Sequence, residues 1–152
     1  MNPSLLSVLE IQPTKMRSYF HTFDHSEQFT KPWWGRVSSP SGDEHWVSIR
    51  RGEVEVARCK FDLYKAARSH PLLGDMPHGQ LDILALEVAN TWRGQGIGRE
   101  ILRLIRVKYP LVRLTALNDD DHSRGFWESV GWIRYESSHE FLRSERATYS
   151  EV

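Results

Sequence analysis

The chain has one cysteine, no block of like charge and no apolar run long enough to cross a bilayer, and each lack removes a class of protein. Cys59 has no second cysteine to pair with, so an internally disulfide-stapled scaffold is excluded. Lys plus Arg and Asp plus Glu each total 20, with the signs interspersed, so no broad attraction to nucleic acid or to an anionic membrane is implied. No stretch approaches the roughly 20 apolar residues of a membrane helix, and no cationic start leads into an apolar run. A soluble, cytoplasmic protein is the expectation. The seven histidines show no ligand spacing, and the acidic run at 119–121 reads as a helix start, so no metal site is expected. At 152 residues there is room for one domain with one sizeable core, expected to span 1–152.

What is present is organised around residues 81–98, an apolar strand that enters a glycine-rich turn and then a helix. Gly94, Gly96 and Gly98 alternate along the turn. Without Cβ atoms they let the backbone bend sharply and bring consecutive N–H groups near a ligand. Those groups sit at a helix start, where unpaired donors and the helix dipole favour an anion such as a pyrophosphate. Two better-known phosphate loops do not fit. A P-loop needs Lys-Ser or Lys-Thr after its last glycine, where this chain has Arg99 and Glu100. The dinucleotide fingerprint needs Gly-x-Gly-x-x-Gly, whereas the spacing here is Gly-x-Gly-x-Gly behind Arg93.

Along the rest of the chain the pattern is uneven. Residues 7–11 read as a strand, residues 21–30 as a short helix opened by Asp24 or Ser26, and Trp33-Trp34-Gly35 as packing or a turn. Residues 45–50 and 53–61 alternate apolar with polar around Arg51-Gly52, a hairpin signal. Residues 62–80 look irregular, with a helical turn near 64–68 and then Pro71, Gly74, Pro77 and Gly79. From Ile97 the apolar Ile101, Leu104 and Ile105 recur at helical spacing until Pro110. Residues 111–118 form a strand that pairs in parallel with the first through a right-handed crossover. A short helix over 123–131 with an acidic start and a C′ glycine, and a strand at 132–135, complete the pattern.

The run Arg93-Gly94-Gln95-Gly96-Ile97-Gly98 resembles the coenzyme A pyrophosphate loop of the GCN5-related N-acetyltransferase (GNAT) superfamily. The approach at 88–94 resembles that family's strand end, and Phe126-Trp-Glu-Ser-Val-Gly-Trp132 resembles its Phe-Tyr-x-x-x-Gly-Phe segment. The resemblance covers about residues 81–135. It implies an α/β fold with a mixed, mainly antiparallel sheet, splayed between two central parallel strands and flanked by helices. It also implies direct transfer of an acetyl or other acyl group from acetyl-CoA, as co-substrate, to a primary amine. The acceptor, a small molecule or a protein, stays unidentified, and a homodimer is compatible with the family.

By the same resemblance, the amides of Gln95, Gly96, Ile97, Gly98 and Arg99 hold the pyrophosphate behind Arg93 and Gly94. Leu86 and Val88 pair with the pantetheine arm, and Asn118 offers a polar coenzyme contact. Asp82 stands where one branch of the family places a catalytic Glu. It lies four residues, or about 13 Å, before Leu86, so waters would have to link it to the amine. Glu87 is the alternative base; it faces the other side of an ideal strand unless a bulge re-aims it. The family's acid, a Tyr, is replaced by Trp127, whose indole cannot serve as that acid, so Ser123 or Tyr135 would take its place. The rival reading is an acetyl-CoA-binding regulatory or interaction module without turnover.

Overall fold

The computed structural model describes residues 6–11, 14–16, 19–21, 23–31, 33–35, 43–118, 124–136 and 147–152. Its main sheet has seven strands: β1 (Leu6–Glu10), β5 (Asp43–Arg51), β6 (Val54–Tyr64), β9 (Gln80–Val88), β10 (Arg113–Asn118), β12 (Ala147–Ser150) and β11 (Ile133–Tyr135), adjacent in that order. Among the described residues only the β9–β10 pair is parallel. Three short strands, β2 (Thr14–Met16), β3 (Tyr19–His21) and β4 (Trp34–Gly35), make a separate sheet, and β7 (Arg68–His70) pairs with β8 (Gly74–Met76). The helices are α1 (Ile97–Lys108) and α2 (Arg124–Ser129).

The hairpin around Gly52 forms as its alternation predicts, and residues 6–10 supply the expected first strand on its outer edge. Two expectations fail. Residues 23–31 hold a turn at Glu27 and Gln28 rather than a helix; the Ser26 hydroxyl accepts the Gln28 N–H, a local bond that competes with helix formation. Residues 62–80 are not irregular throughout, because β6 continues to Tyr64 by pairing with Gln80, and a small hairpin follows. Gly79 makes that pairing possible: its φ is +91°, and a Cβ there would lie 2.1 Å from the Tyr64 carbonyl oxygen.

Burial divides the sheet into two faces. α1 lays Ile97, Ile101, Leu102 and Ile105 on Val47, Cys59, Phe61, Leu81 and Ile83, forming the larger core. The opposite face carries a smaller aromatic cluster of Phe23, Phe29, Trp33 and Trp46. There the buried Arg58 guanidinium lies 4.2 Å from the Phe29 ring centroid and 4.8 Å from that of Phe23. Its ends are held by Glu55 and by the carbonyl of Asp24.

β9 and β10 run together only from Gln80 and Arg113 to Ile83 and Ala116, although β9 continues to Val88 and β10 to Asn118. Against β6 the register of β9 also shifts, with Lys60 opposite Ala85 but Phe61 opposite Ile83, so Leu84 is an inserted residue. The sheet therefore opens between its two parallel strands and changes facing at the same point. The core under this opening can be tested. Ile101→Ala, at a position 1% exposed, should lower stability by about 2–5 kcal/mol in chemical denaturation, whereas Val107→Ala, 66% exposed on the same helix, should change it by less than about 0.5 kcal/mol.

Candidate functional site

Where the strands part, a cavity of about 550 Å³ opens, walled by residues 83–88 of β9 together with Leu117, Phe126, Trp127, Gly98, Arg93, Thr30 and Lys31. Of the residues singled out in the sequence, Leu86, Glu87, Val88, Arg93, Gly98 and Trp127 stand in this wall. Asp82 lies one residue beyond it, next to Ile83. Asn118 ends β10, paired with Ala147 of β12. Ser123 and the acidic run at 119–121 lie outside the described residues.

The glycine turn divides into two parts with different tasks. Gly94 and Gly96 both have φ of +77°, and a Cβ at either would meet nothing within 4 Å among the described residues. Gly96 caps α1 without any side-chain hydrogen bond to the helix start. The first-turn N–H groups, which have no partners inside a helix, are thus left without a side-chain cap at Gly96. Gly98 differs, since a Cβ there would come within 2.6 Å of Phe126 Cε1, so this glycine also lets α2 pack on α1. Arg99 reinforces that contact by donating to the Ser129 carbonyl oxygen at 2.7 Å. Trp127 is buried, stacked on Trp132 with 4.8 Å between ring centroids and set edge-on to Phe126. It acts as a wall rather than as a proton donor.

Glu87 is turned by the Leu84 insertion onto the same face as Asp82, but its lone pairs are taken. It accepts from Thr30 N (2.7 Å), Thr30 Oγ1 (2.9 Å), Lys31 N (3.0 Å) and Trp33 Nε1 (2.8 Å), with Arg93 at 3.5 Å. Burial pushes its proton affinity up, yet the bonds from Thr30, Trp33 and Lys31 outweigh that and hold it below the ordinary carboxylate range. A carboxylate so occupied fastens the segment that donates to it. It pins Thr30, Lys31 and Trp33, and the first two line the cavity. No local pattern signals those two residues, because their bonds reach across 56 and 57 positions. Leu84, Ala85 and Phe126 were within reach of sequence reasoning as direct neighbours of residues it did single out.

Asp82 presents the opposite case. Its Oδ1 accepts the Thr115 hydroxyl at 2.8 Å, and that hydroxyl accepts from Gln80 Nε2 at 2.8 Å. Burial raises its pKa, the Thr115 bond pulls it back, nearby Asp62 raises it again and Arg68 lowers it, with a net value of about 6. A carboxyl group that titrates near neutrality can hold a proton briefly and release it.

No protein-family profile matches the chain, and a search of curated proteins finds no match. Among solved structures it is similar to an acetyltransferase from Thermus thermophilus, with a TM-score of 0.53 at 15% identity, over 71% of this chain and 63% of that one. It is also similar to a Desulfovibrio desulfuricans chain assigned to the GNAT family of acetyltransferases, with a TM-score of 0.50 at 18% identity, over 70% of this chain and 66% of that one. The match thus spans less than two thirds of either neighbour. The fold of the chain is the GNAT fold, as the loop and the Phe126 segment led one to expect.

Two outcomes test the two carboxylates. Glu87→Ala should destabilise the protein by roughly 2 kcal/mol or more, because it strands the buried Trp33 indole N–H and the part-buried donors of Thr30 and Lys31; denaturant melts check this. For Asp82 the unfolded pKa is 3.8 and the folded value about 6, so charging it costs stability as pH rises through that window. Asp82→Asn, which keeps the Thr115 bond, should be more stable than the parent at pH 8 by up to about 3 kcal/mol, with the gap closing as pH falls from 6 to 4.

Proposed function

We propose that this chain is an N-acetyltransferase that moves an acetyl group from acetyl-CoA directly to a primary amine. The observation that carries the reading is that the opening between β9 and β10 runs to an uncapped helix start behind two left-handed glycines. One end suits a pyrophosphate and the other an extended amide chain.

The amides of Gln95, Gly96, Ile97, Gly98 and Arg99 would hold the pyrophosphate, with Arg93 adding charge. Along β9 the stretch 84–88 has no β10 ladder partner, so Leu86 and Val88 are free to pair with the pantetheine arm. The Leu86 N–H would then face the thioester oxygen and stabilise the negative charge that gathers there.

Asp82 accepts a proton from the acceptor's ammonium, the N–H bonding pair staying on nitrogen. That nitrogen bonds to the thioester carbon, the C–S bond breaks with its electron pair going to sulfur, and the second proton, left on the new amide nitrogen, passes to the departing thiolate. A thiol of pKa near 8.5 leaves acceptably as the thiolate, so Trp127 in the family's Tyr position does not bar the reaction. The same Trp127 motivates a second reading, a regulatory acetyl-CoA-binding module without turnover. Thiol release from acetyl-CoA with a panel of amines separates the two, since only the enzyme reading gives product.

Two variants probe the assignment. Gly96→Val places a branched side chain in the turn at φ of +77°; it should abolish measurable coenzyme A binding by calorimetry while the core stays folded. Unchanged affinity in the folded variant rejects the loop assignment. Asp82→Asn should slow transfer about 10²-fold or more, with coenzyme affinity retained, and the parent rate should rise with pH through about 6.

A further inference from the structure

On the sheet face opposite α1, register places Glu44, Asp62, Asp82 and Thr115 opposite one another on β5, β6, β9 and β10. Side chains directly opposite in neighbouring strands share a face, so Asp62 and Asp82 stand side by side. A buried carboxyl beside a half-buried one in such a position needs a reason.

Asp62 is only 7% exposed, and its Oδ1 has no hydrogen-bond partner among the described residues. Its other oxygen has a long contact, 3.5 Å, from the Tyr64 hydroxyl. The cations nearby do not satisfy it. Lys60 pairs with Glu44 at 3.2 Å. Arg68 lies over the Tyr64 ring, 3.7 Å from its centroid, and its own Nη1 has no partner among the described residues. A buried acceptor left open beside a second carboxyl is expensive in a finished core and ordinary in a site that awaits a donor.

We propose that Asp62 and Asp82 together seat the cationic primary ammonium of the acceptor beside the Ile83 edge of the cavity, Asp62 holding the charge in place while Asp82 takes the proton. This rests on the acetyltransferase reading and narrows it to aliphatic amines that are charged in neutral water. A neutral arylamine brings no charge to the seat. The two carboxyls also explain each other: their mutual repulsion is relieved once a cation lies between them.

The test compares butylamine, charged at pH 7, with aniline, neutral at that pH. Asp62→Asn should raise KM for butylamine about 10-fold while leaving aniline kinetics and acetyl-CoA affinity at parent values, and Asp62→Glu should recover part of the loss. Equal effects on both amines, or none on butylamine, overturn the seat. A readout free of turnover separates this from the parent reading. Butylammonium titrated into protein with 13C-carboxyl aspartate should give saturable shifts at both Asp62 and Asp82, and these should vanish in Asp62→Asn. Shifts without any acetyl transfer would leave the seat standing and reject the transferase reading; transfer to butylamine without shifts would reject the seat alone.

Discussion

The rest of the structure depends on a ladder that stops early. β9 and β10 share hydrogen bonds from Gln80 to Ile83 and then separate, and the backbone of 84–88 must find partners other than β10. Buried main-chain groups left without partners are costly, so the molecule tolerates the gap only by filling or lining it. Arg93 Nε reaches the Val88 carbonyl at 3.3 Å, while Trp127 and Phe126 close one side and residues 30–31 the other. Along its other edge β9 pairs with β6 on both sides of the Leu84 insertion, from Gln80 to Val88.

The inserted residue Leu84 determines the chemistry of the two faces. Without it, Asp82 would share a face with Leu86 and turn toward α1. With it, Leu81, Ile83, Leu86 and Val88 all contribute to the core under α1, while Asp82, Ala85 and Glu87 turn to the other side. Both carboxylates thus reach one face and meet different surroundings there. Glu87 receives enough hydrogen bonds to stay charged, whereas Asp82 is desolvated with one strong donor and a like-charged neighbour. Sequence distance from the cavity did not predict how the two differ; the number of bound donors does.

The legible parts of the fold were those whose signals are local. The hairpin about Gly52, the α1 stripe and the parallel strand after Pro110 follow from period and turn chemistry over a few residues, and the structure has all three. The glycine loop was legible for the same reason. Residues 23–35 were not, because what fixes them is remote. Trp33, Thr30 and Lys31 are positioned by a carboxylate on β9, and Arg58 on β6 holds the Asp24 carbonyl. Nothing within that segment announces those bonds, and its Ser and Asp residues imitate helix caps.

Stability and reactivity diverge at Asp82. A half-buried, desolvated carboxyl raised to about 6 is a poor structural element at pH 7, since an asparagine would keep the Thr115 bond at no cost of charge. The Gln80–Thr115–Asp82 chain fixes its orientation all the same, and β6 and β10 hold its backbone on both sides. The neighbouring Asp62 adds a second penalty of the same sign, with one oxygen unsatisfied among the described residues. Two adjacent penalties in strands paired on both sides are hard to reconcile with packing alone. They are what a site requires if its ligand brings the missing charge.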